Sequence, residues 1–194
     1  RLELAAVDIS ANGAEASERV EGVGVSIHNG ELVGNDVTVQ HQWAEGADVY
    51  GVGWAVVDTA FSLDQIDSLD NVGSAVDSAV GGGAFVDGAL GSWRRSSFDD
   101  NVLLSGGLAD GSGMAIVGGS GPDTTFAGSG LVFFRNQLDG AEAAGAPVSV
   151  VGDVDLQDVR IMENISTSAS EVQAGGLWAL GSALARPSRR SRIA

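Results

Sequence analysis

The stretch GGAFVDGALGSWRRSSFDDN, residues 82 to 101, contains both of the sequence markers that decide the fold. It opens on a glycine pair and closes on an asparagine, and both features recur along the chain. The asparagine marker, replaced once by glutamine, recurs in steps of 30, 29, 30, 35 and 28 residues at Asn12, Gln42, Asn71, Asn101, Asn136 and Asn164. A nearly constant period of about 30 residues indicates a repeat architecture.

A second marker runs in phase with the first. It falls 11 or 12 residues after each asparagine-type position, at Gly24, Gly53, Gly83, Gly113, Pro147 and Gly176. Apolar residues predominate one and three residues after this marker, and three and five residues before each asparagine-type position. A period of two predicts strands. The copy from Gly113 to Asn136 is longer than the others, and its turn-rich run at 118–123 predicts a loop.

Strands this short cannot bury a face alone, but stacked copies can pair in parallel at about 4.8 Å. We therefore predict an all-β fold, a right-handed parallel β-helix of about six rungs with repeats of roughly 30 residues. It would be a single solenoid domain over residues 1–182, a fragment of a longer array, followed by a basic, disordered tail over 183–194. A helical solenoid is disfavoured because the repeats are rich in Gly, Val, Ser and Asp. A β-sandwich or barrel would not produce columns of like residues.

The asparagine marker has a structural interpretation. Stacked asparagines can form a ladder of side-chain amide hydrogen bonds, and asparagine tolerates the left-handed backbone of a tight turn. Gln42 keeps the amide but lacks the turn preference, so we expect a distorted rung there.

Composition limits the function classes. The 194 residues include 26 acidic residues, ten arginines, no lysine and no cysteine, for a formal net charge of −16. This charge disfavours nucleic acid and anionic membranes as partners, and it favours solubility or the binding of cations such as calcium. The absence of cysteine excludes disulfides and thiolate chemistry. No stretch approaches 18 apolar residues, so the sequence predicts no insertion into a membrane as a helix.

The repeats resemble those of the chlamydial polymorphic outer-membrane proteins, which pair a GGA-plus-aliphatic motif with an FxxN motif. Residues 82–85 (GGAF) match the first motif, and residues 98–101 and 133–136 match the second. Other copies replace the phenylalanine by Ile, Val or Ser, and the resemblance extends to about residue 182. It implies a surface-exposed or secreted bacterial passenger, often adhesive. The wider pectin-lyase-like group also includes polysaccharide lyases and hydrolases, so the fold alone does not decide the function.

Paired carboxylates are the first candidates for chemistry, because β-helix enzymes that act on sugars use them. Asp58 and Asp87 follow equivalent strands and miss a common column by one residue. They are candidate catalytic residues or calcium ligands, with Arg94 as a candidate lyase base; solvated turn residues are the alternative interpretation. Asp153, Asp155 and Asp158 are calcium candidates that would lie on one face of a strand. A solvated outer face is the alternative for this set.

Aromatic and histidine residues are the remaining candidates. Tryptophans suit stacking against sugar rings, and Trp43 is one such residue; Trp54 falls in an inward column and is predicted to belong to the core. Trp93 and Trp178 are predicted to face outward. Two histidines, His28 and His41, occupy different positions of successive copies, so we expect surface or turn roles.

We therefore expect a non-enzymatic extracellular or cell-surface segment that acts as a structural spacer or an adhesin-like display surface. Loops such as residues 118–125 would carry recognition, and the partner would be a protein or glycan of a host or neighbouring cell. The alternative is a carbohydrate-active enzyme (a polysaccharide lyase or glycoside hydrolase) or a lectin-like module. An enzyme would bring two carboxylates, or a carboxylate and an arginine, together in one groove beside exposed aromatics. Calcium is the one cofactor that the sequence suggests.

Overall fold

A computed structural model describes residues 1–118, 126–144 and 147–180 of the chain. These residues form an all-β fold, a parallel β-solenoid of about six turns with a spacing of about 30 residues and 72% of residues in strands. The predicted stack of about six rungs is confirmed. The described part of the chain contains no helix, and so none that is long and apolar enough to cross a membrane.

We call each turn of the solenoid a rung. The strands of the described residues follow in chain order, three or four to a rung. Rungs 1 and 2 contain β1 (Leu2–Ser10), β2 (Gly13–Glu15), β3 (Arg19–Glu21), β4 (Val25–His28), β5 (Glu31–Gln40), β6 (Trp43–Tyr50) and β7 (Trp54–Val57). Rungs 3 and 4 contain β8 (Ala60–Leu69), β9 (Val72–Val80), β10 (Ala84–Asp87), β11 (Leu90–Arg94), β12 (Ser97–Asp99), β13 (Val102–Asp110) and β14 (Met114–Val117). Rungs 5 and 6 contain β15 (Phe126–Ser129), β16 (Val132–Phe134), β17 (Gln137–Ala144), β18 (Val148–Val151), β19 (Val154–Gln157), β20 (Arg160–Met162), β21 (Ile165–Val172) and β22 (Leu177–Leu180).

Each rung passes through three parallel sheets in turn, which we call A, B and C. Sheet A contains β1, β5, β8, β11, β12, β15, β16, β19 and β20; sheet B contains β2, β3, β6, β9, β13, β17 and β21; sheet C contains β4, β7, β10, β14, β18 and β22. Each residue pairs with its equivalent one rung later, so equivalent positions form columns along the solenoid axis. The column predicted one residue after the glycine marker is confirmed as Val25, Trp54, Ala84, Met114, Val148 and Leu177.

Inward-facing columns fill two buried clusters. The larger cluster contains the inward side chains of sheets A and C, and the smaller one contains those of sheet B. The rings of Phe98 and Phe133, in the predicted column three residues before the asparagine, stack along the axis with centroids 5.0 Å apart. Trp54 is fully buried, as predicted. Each side chain therefore packs against its neighbours in the same column as well as across the core.

The prediction that Trp93 faces outward is wrong. Trp93 is fully buried, pairs with the buried Leu63 one rung earlier and packs edge-on against Trp54 at 5.8 Å. The error has a backbone cause. Arg95 has a left-handed backbone, with a φ of 48°, which kinks sheet A and shifts the inward phase by one residue. Counting back in steps of two from Phe98 therefore places Trp93 on the wrong face.

Left-handed residues mark the corners of every rung. Those that precede the asparagine-type positions are Ala11, His41, Asp70, Asp100, Arg135 and Glu163, with φ values between 51° and 56°. The left-handed residue is therefore the one before the asparagine, and the expectation that the asparagine itself takes this conformation is wrong. The preceding residue turns the chain, and this leaves the asparagine side chain free to lie along the column.

Two predicted features fall largely outside the described residues. Residues 119–125 of the predicted recognition loop are not among them, and neither is the predicted tail at 183–194. Gly118 is described, and its N–H donates to the carbonyl of Val151 in the next rung.

Candidate functional site

The amide side chains of the asparagine marker form one column at the corner between sheets A and B. The main-chain N–H of Asn71 donates to the side-chain oxygen of Asn101 at 3.2 Å, and the Asn71 Nδ2 donates to the same oxygen at 2.8 Å. The same pair of bonds joins Asn101 to Asn136 and Asn136 to Asn164. Buried polar groups at this corner are therefore satisfied by the next rung rather than by water.

Gln42 continues this column with a different side-chain arrangement. Its Oε1 accepts the main-chain N–H of Asn12 at 3.1 Å, and its own N–H donates to Asn71 Oδ1 at 3.1 Å. The Gln42 Nε2 donates to two main-chain carbonyls, those of Ile9 at 2.7 Å and Gln40 at 2.6 Å. The main-chain part of the column is continuous, so the change at this rung is confined to the side-chain amide.

A second candidate feature lies at the corner between sheets B and C. Three outward-facing columns line it: Glu21, Tyr50, Val80 and Asp110 at the end of sheet B; Ser26, Ala55, Phe85, Ala115, Ser149 and Trp178 on sheet C; and His28, Val57, Asp87, Val117, Val151 and Leu180 on sheet C. Phe85 is 5% exposed and Ala115 only 1%, although both face away from the main core. The corner is therefore concave, and we call it the corner cleft.

The floor of the corner cleft is apolar. Val80, Phe85 and Ala115 form a small buried cluster separate from the two inner ones, with Tyr50 and Val57 packed against it. The rings of Tyr50 and Phe85 are 5.2 Å apart between centroids. Burial of this cluster fixes the angle between the ends of sheets B and C, and so fixes the polar groups on the two rims.

Charged side chains occupy the end of the cleft at rung 1. The Nη2 of Arg19 lies 2.7 Å from one carboxylate oxygen of Glu21, and the Nε2 of His28 lies 2.9 Å from the other. The Arg19 guanidinium also lies over the Tyr50 ring, 4.3 Å from its centroid. A cation over an aromatic face is attracted by the ring quadrupole, so Tyr50 helps to orient Arg19.

The structure brings the two candidate carboxylates Asp58 and Asp87 together beside these groups. The N–H of Asp58 donates to the main-chain carbonyl of Asp87 at 2.9 Å, which places Asp58 in register with Gly88, one residue off as predicted. Burial raises the pKa of Asp87, and the negative charges of Asp58 and then Glu21 raise it further, whereas Arg19 opposes this. Asp87 thus holds a proton more tightly than an exposed aspartate would.

Asp110 is the most strongly perturbed acid on the cleft. Burial raises its pKa to about 7, while a hydrogen bond from Ser149 and one from the Gly111 N–H oppose this rise. The Ser149 Oγ donates to Asp110 Oδ2 at 2.8 Å, and Ser149 is itself 2% exposed. The second oxygen of Asp110 is buried without a hydrogen-bond partner among the described residues.

Arg94, the candidate base, lies on a different sheet from these acids. It is exposed at the end of β11 in sheet A, where its charge acts on Asp64. Its neighbour Arg95 donates from Nε to Asp64 Oδ1 at 2.8 Å, and this pairing lowers the pKa of Asp64. Arg94 is not among the charged groups that act on Asp87.

The three calcium candidates do not share one strand. Only Asp155 lies within β19; Asp153 precedes that strand, and the left-handed backbone of Asp158, with a φ of 53°, follows its end. The expected single strand-like run of carboxylates is therefore not formed, because the left-handed backbone at Asp158 ends it. Within the described ranges, no group of three acidic or histidine side chains is placed to hold a metal ion.

The outer face of sheet B carries a column at the starts of its strands in which three large apolar side chains are exposed. Trp43 is 48% exposed, Val72 39% and Ile165 56%, and they share this column with Val102 and Gln137. We call this column the outer stripe. Trp178 faces outward as predicted and is half-buried at the far end of the corner cleft.

Several of these groups were missed at the level of sequence, including Glu21, Tyr50, Asp110 and Ser149. The sequence does contain a pattern that points to these residues. The column two residues after the glycine marker should be polar if it faces solvent, yet it contains Ala55, Phe85 and Ala115. An apolar outward column predicts a concave corner, and the residues three before the marker then face it from the other side.

The fold and the two surfaces define the chain as a parallel β-solenoid of stacked rungs with an amide column. Comparison with protein-family models, with curated proteins and with solved structures found no match to the chain. The functional argument therefore depends on the geometry of the chain itself.

Proposed function

We propose that this chain is a non-enzymatic display segment of an extracellular or cell-surface protein, in the manner of an adhesin. The observation that carries this proposal is the outer stripe of sheet B. Monomeric proteins rarely leave large apolar side chains aligned on a flat surface, and such surfaces are characteristic of interaction sites. The stripe presents one residue per rung, because each of its residues pairs in register with the next one along the solenoid axis.

The partner class follows from the shape and chemistry of the stripe. A row of exposed apolar side chains with a tryptophan at one end suits a protein surface or the faces of sugar rings, which stack on aromatic side chains. The acidic surface of the chain disfavours nucleic acid and anionic membranes as partners. The resemblance of the repeats to those of the chlamydial polymorphic outer-membrane proteins supports the same surface role.

The test is retention of the purified chain on arrays of glycans and on fixed cells, with and without calcium. The variant Trp43→Ser/Ile165→Ser, both exposed on the outer stripe, should lose retention. The matched control Ser97→Ala/Arg160→Ala alters the outer face of sheet A and should retain the wild-type signal. Equal retention by both variants would contradict the proposal for the outer stripe.

A second candidate function is a carbohydrate-active enzyme or lectin-like module that uses the corner cleft. The observation that favours it is the meeting of Asp58, Asp87 and Glu21 beside Tyr50. Two neighbouring carboxyls, one of them with a raised pKa as at Asp87, are the arrangement that acid–base cleavage of a glycosidic bond uses. Arg94 has no role in this candidate function, because it lies on sheet A, away from the corner cleft.

The same array distinguishes the two candidates when it is also assayed for bond cleavage. Cleavage that is lost in Asp87→Asn and kept in Trp43→Ser would establish the enzyme and overturn the display role. Retention without cleavage that is lost in Asp87→Asn would support a lectin-like cleft.

A further inference from the structure

The middle of sheet B exposes further apolar side chains beside the outer stripe, in rungs 3 and 4. Val76 is 69% exposed, Leu104 38% and Leu108 39%. Their strands, β9 and β13, pair in parallel, and β9 also contributes Val72 to the stripe. We call Val72, Val76, Leu104 and Leu108 the apolar centre. At these two rungs the exposed apolar surface is therefore a patch rather than a single row.

Carboxylates flank the apolar centre along the solenoid axis. The columns of Leu104 and Leu108 each contain an acidic residue in rung 2 and another in rung 5: Glu45 and Asp139 in the first, Asp48 and Glu142 in the second. We call these four residues the acidic rim. Three rungs separate its two sides, which corresponds to about 14 Å at a strand spacing of ~4.8 Å. An apolar centre inside a polar rim is the usual anatomy of a protein–protein interface.

No arginine neutralises the acidic rim among the described residues. The strands of sheet B contain one arginine, Arg19, which is paired with Glu21 and lies over Tyr50 in the corner cleft. The ion pairs of the described residues, those of both histidines included, involve none of the four rim carboxylates. The other described arginines lie on or beside strands of sheet A: Arg1, Arg94, Arg95, Arg135 and Arg160. Electrostatic complementarity to this face of sheet B therefore requires a cationic partner.

We propose that the apolar centre and the acidic rim bind a basic protein segment in which apolar side chains lie between lysine or arginine side chains. The apolar side chains of the segment would cover the apolar centre, and its cations would pair with the rim on either side. Long cationic side chains suit this geometry, because their methylene stems pack on apolar surface while the charged group reaches outward. This partner class rests on the display role proposed for the outer stripe, because Val72 belongs to both surfaces.

The same chemistry disfavours the other occupants of this face. A neutral glycan would desolvate carboxylates of the rim without supplying a counter-charge, which costs free energy. An acidic polysaccharide and a second copy of this chain, which has a net charge of −16, would both be repelled.

The probes are three synthetic heptapeptides of equal length. The first, RRLVLRR, places its inner arginines about 14 Å apart in an extended chain, which matches the two sides of the rim. The second, EELVLEE, reverses the charge, and the third, RRSTSRR, keeps the charge but replaces the apolar residues. The measurement is the dissociation constant of each labelled peptide for the full chain by fluorescence polarisation. RRLVLRR should bind at least about ten times more tightly than either of the other two.

Charge variants of the chain locate the binding. Glu45→Gln/Asp139→Asn removes one carboxylate from each side of the rim and should weaken the binding of RRLVLRR about fivefold. The matched control Glu3→Gln/Glu163→Gln removes two exposed carboxylates on the side of sheet A and changes the net charge equally. This control should leave the dissociation constant within about twofold of wild type, because distant exposed charges are screened by salt.

Apolar variants test the centre in the same assay. Leu104→Ser/Leu108→Ser should weaken the binding of RRLVLRR about tenfold, since both side chains are exposed and would be covered by the peptide. The control Leu90→Ser removes an exposed leucine of sheet A and should bind as wild type does. The charge variants keep the proposal testable even if the double leucine variant fails to fold.

Two results would overturn the basic partner. One is an equal dissociation constant for RRLVLRR and either of the other peptides. The other is an equal loss of binding in Glu45→Gln/Asp139→Asn and Glu3→Gln/Glu163→Gln, which would show a general attraction to an anionic chain.

The display role fails by a different result, which is unchanged retention on glycans and cells in Trp43→Ser/Ile165→Ser. Retention on a glycan that is lost in this variant, without any preference for RRLVLRR, would keep the display role. It would assign the outer face of sheet B to sugar and overturn the basic partner.

Discussion

At the residue scale, the corners of the solenoid repeat one short motif. It consists of a residue with left-handed backbone followed by a polar residue whose side chain forms hydrogen bonds with the main chain. Asp100 precedes Asn101 in this way, and the same order occurs with Asp58 and Thr59. The Thr59 Oγ1 donates to the carbonyl of Val57 at 2.7 Å and accepts the N–H of Gly30 at 3.3 Å. The left-handed residue frees main-chain groups from the sheet, and the polar side chain that follows satisfies them.

This motif predicts how the free energy of unfolding changes when one side-chain amide is removed from the column. Asn101→Ala leaves the main-chain N–H of Asn71 without its acceptor and removes one of the acceptors of Asn71 Nδ2, in a site where both residues are fully buried. We expect the free energy of unfolding to fall by about 3 kcal/mol in a urea titration. The control Asn35→Ala removes an exposed amide of β5 and should change it by less than about 0.5 kcal/mol. A loss of similar size in both variants would contradict the role of the column.

Asp110 makes a separate prediction about pH. Its folded pKa of about 7 lies above the ordinary value of 3.8, so the folded state binds the proton more tightly than the unfolded state does. This stabilisation is complete below about pH 4 and is lost as the pH rises to about 7 and beyond. The difference between the two pKa values corresponds to about 4 kcal/mol.

The measurement is the free energy of unfolding between pH 4 and pH 8 for wild type and for Asp110→Asn. The variant should lose much less stability over this range, and it should be the more stable protein at pH 8. Asp139→Asn removes an exposed carboxyl of sheet B and provides the control. Parallel curves for wild type and Asp110→Asn would show that this carboxyl does not govern the pH dependence.

At the element scale, the short strands of sheet C require sharp entry corners. Gly81 has a φ of 70°, and a Cβ there would lie 2.4 Å from the carbonyl oxygen of Ala84. We expect Gly81→Ala to lower the free energy of unfolding by about 1–3 kcal/mol through this strain. A Cβ at Gly175 would meet nothing within 4 Å, so Gly175→Ala should be neutral or stabilising by about 0.5 kcal/mol. Thermal unfolding of the two variants, each compared with wild type, separates the two causes. It shows whether stability is lost through strain at the Gly81 corner or through the replacement of any glycine by alanine.

The elements also show how far the sequence predicts this structure. The strands of sheet C and the asparagine column follow from spacing alone, because one period governs both. The prediction for Trp93 is wrong because the left-handed Arg95, between β11 and β12, changes the inward phase, and arginine carries no sequence signal for that conformation. The corner cleft was missed because it depends on the angle between two sheets. The sequence signals the concave corner only through the apolar residues of one outward column, and the burial of Phe85 in the structure shows that the corner is closed.

At the scale of the whole molecule, each rung contacts only its neighbours, so stability is a sum of local terms. Among the described residues, rungs 1 and 6 have a neighbouring rung on one side only. Leu2 and Val7 of β1 are only partly buried, whereas their partners in rung 2, Leu32 and Val37, are 0% and 1% exposed. Amide hydrogen exchange should therefore be fastest in rung 1 and slowest in rungs 3 and 4. Exchange at one rate through all rungs would indicate that the solenoid opens as a single unit instead.

The amide column also gives the solenoid a direction. Each consecutive pair is joined in the same sense, from the main-chain N–H of the earlier member to the side-chain oxygen of the later one, from Asn12 to Asn164. The column therefore exposes a carbonyl oxygen toward low residue numbers and amide hydrogens toward high ones. Two such stacks can join their columns head to tail, whereas a head-to-head contact would oppose two acceptors. Any filament built by extending this column must be polar, with two chemically different ends and one direction of growth.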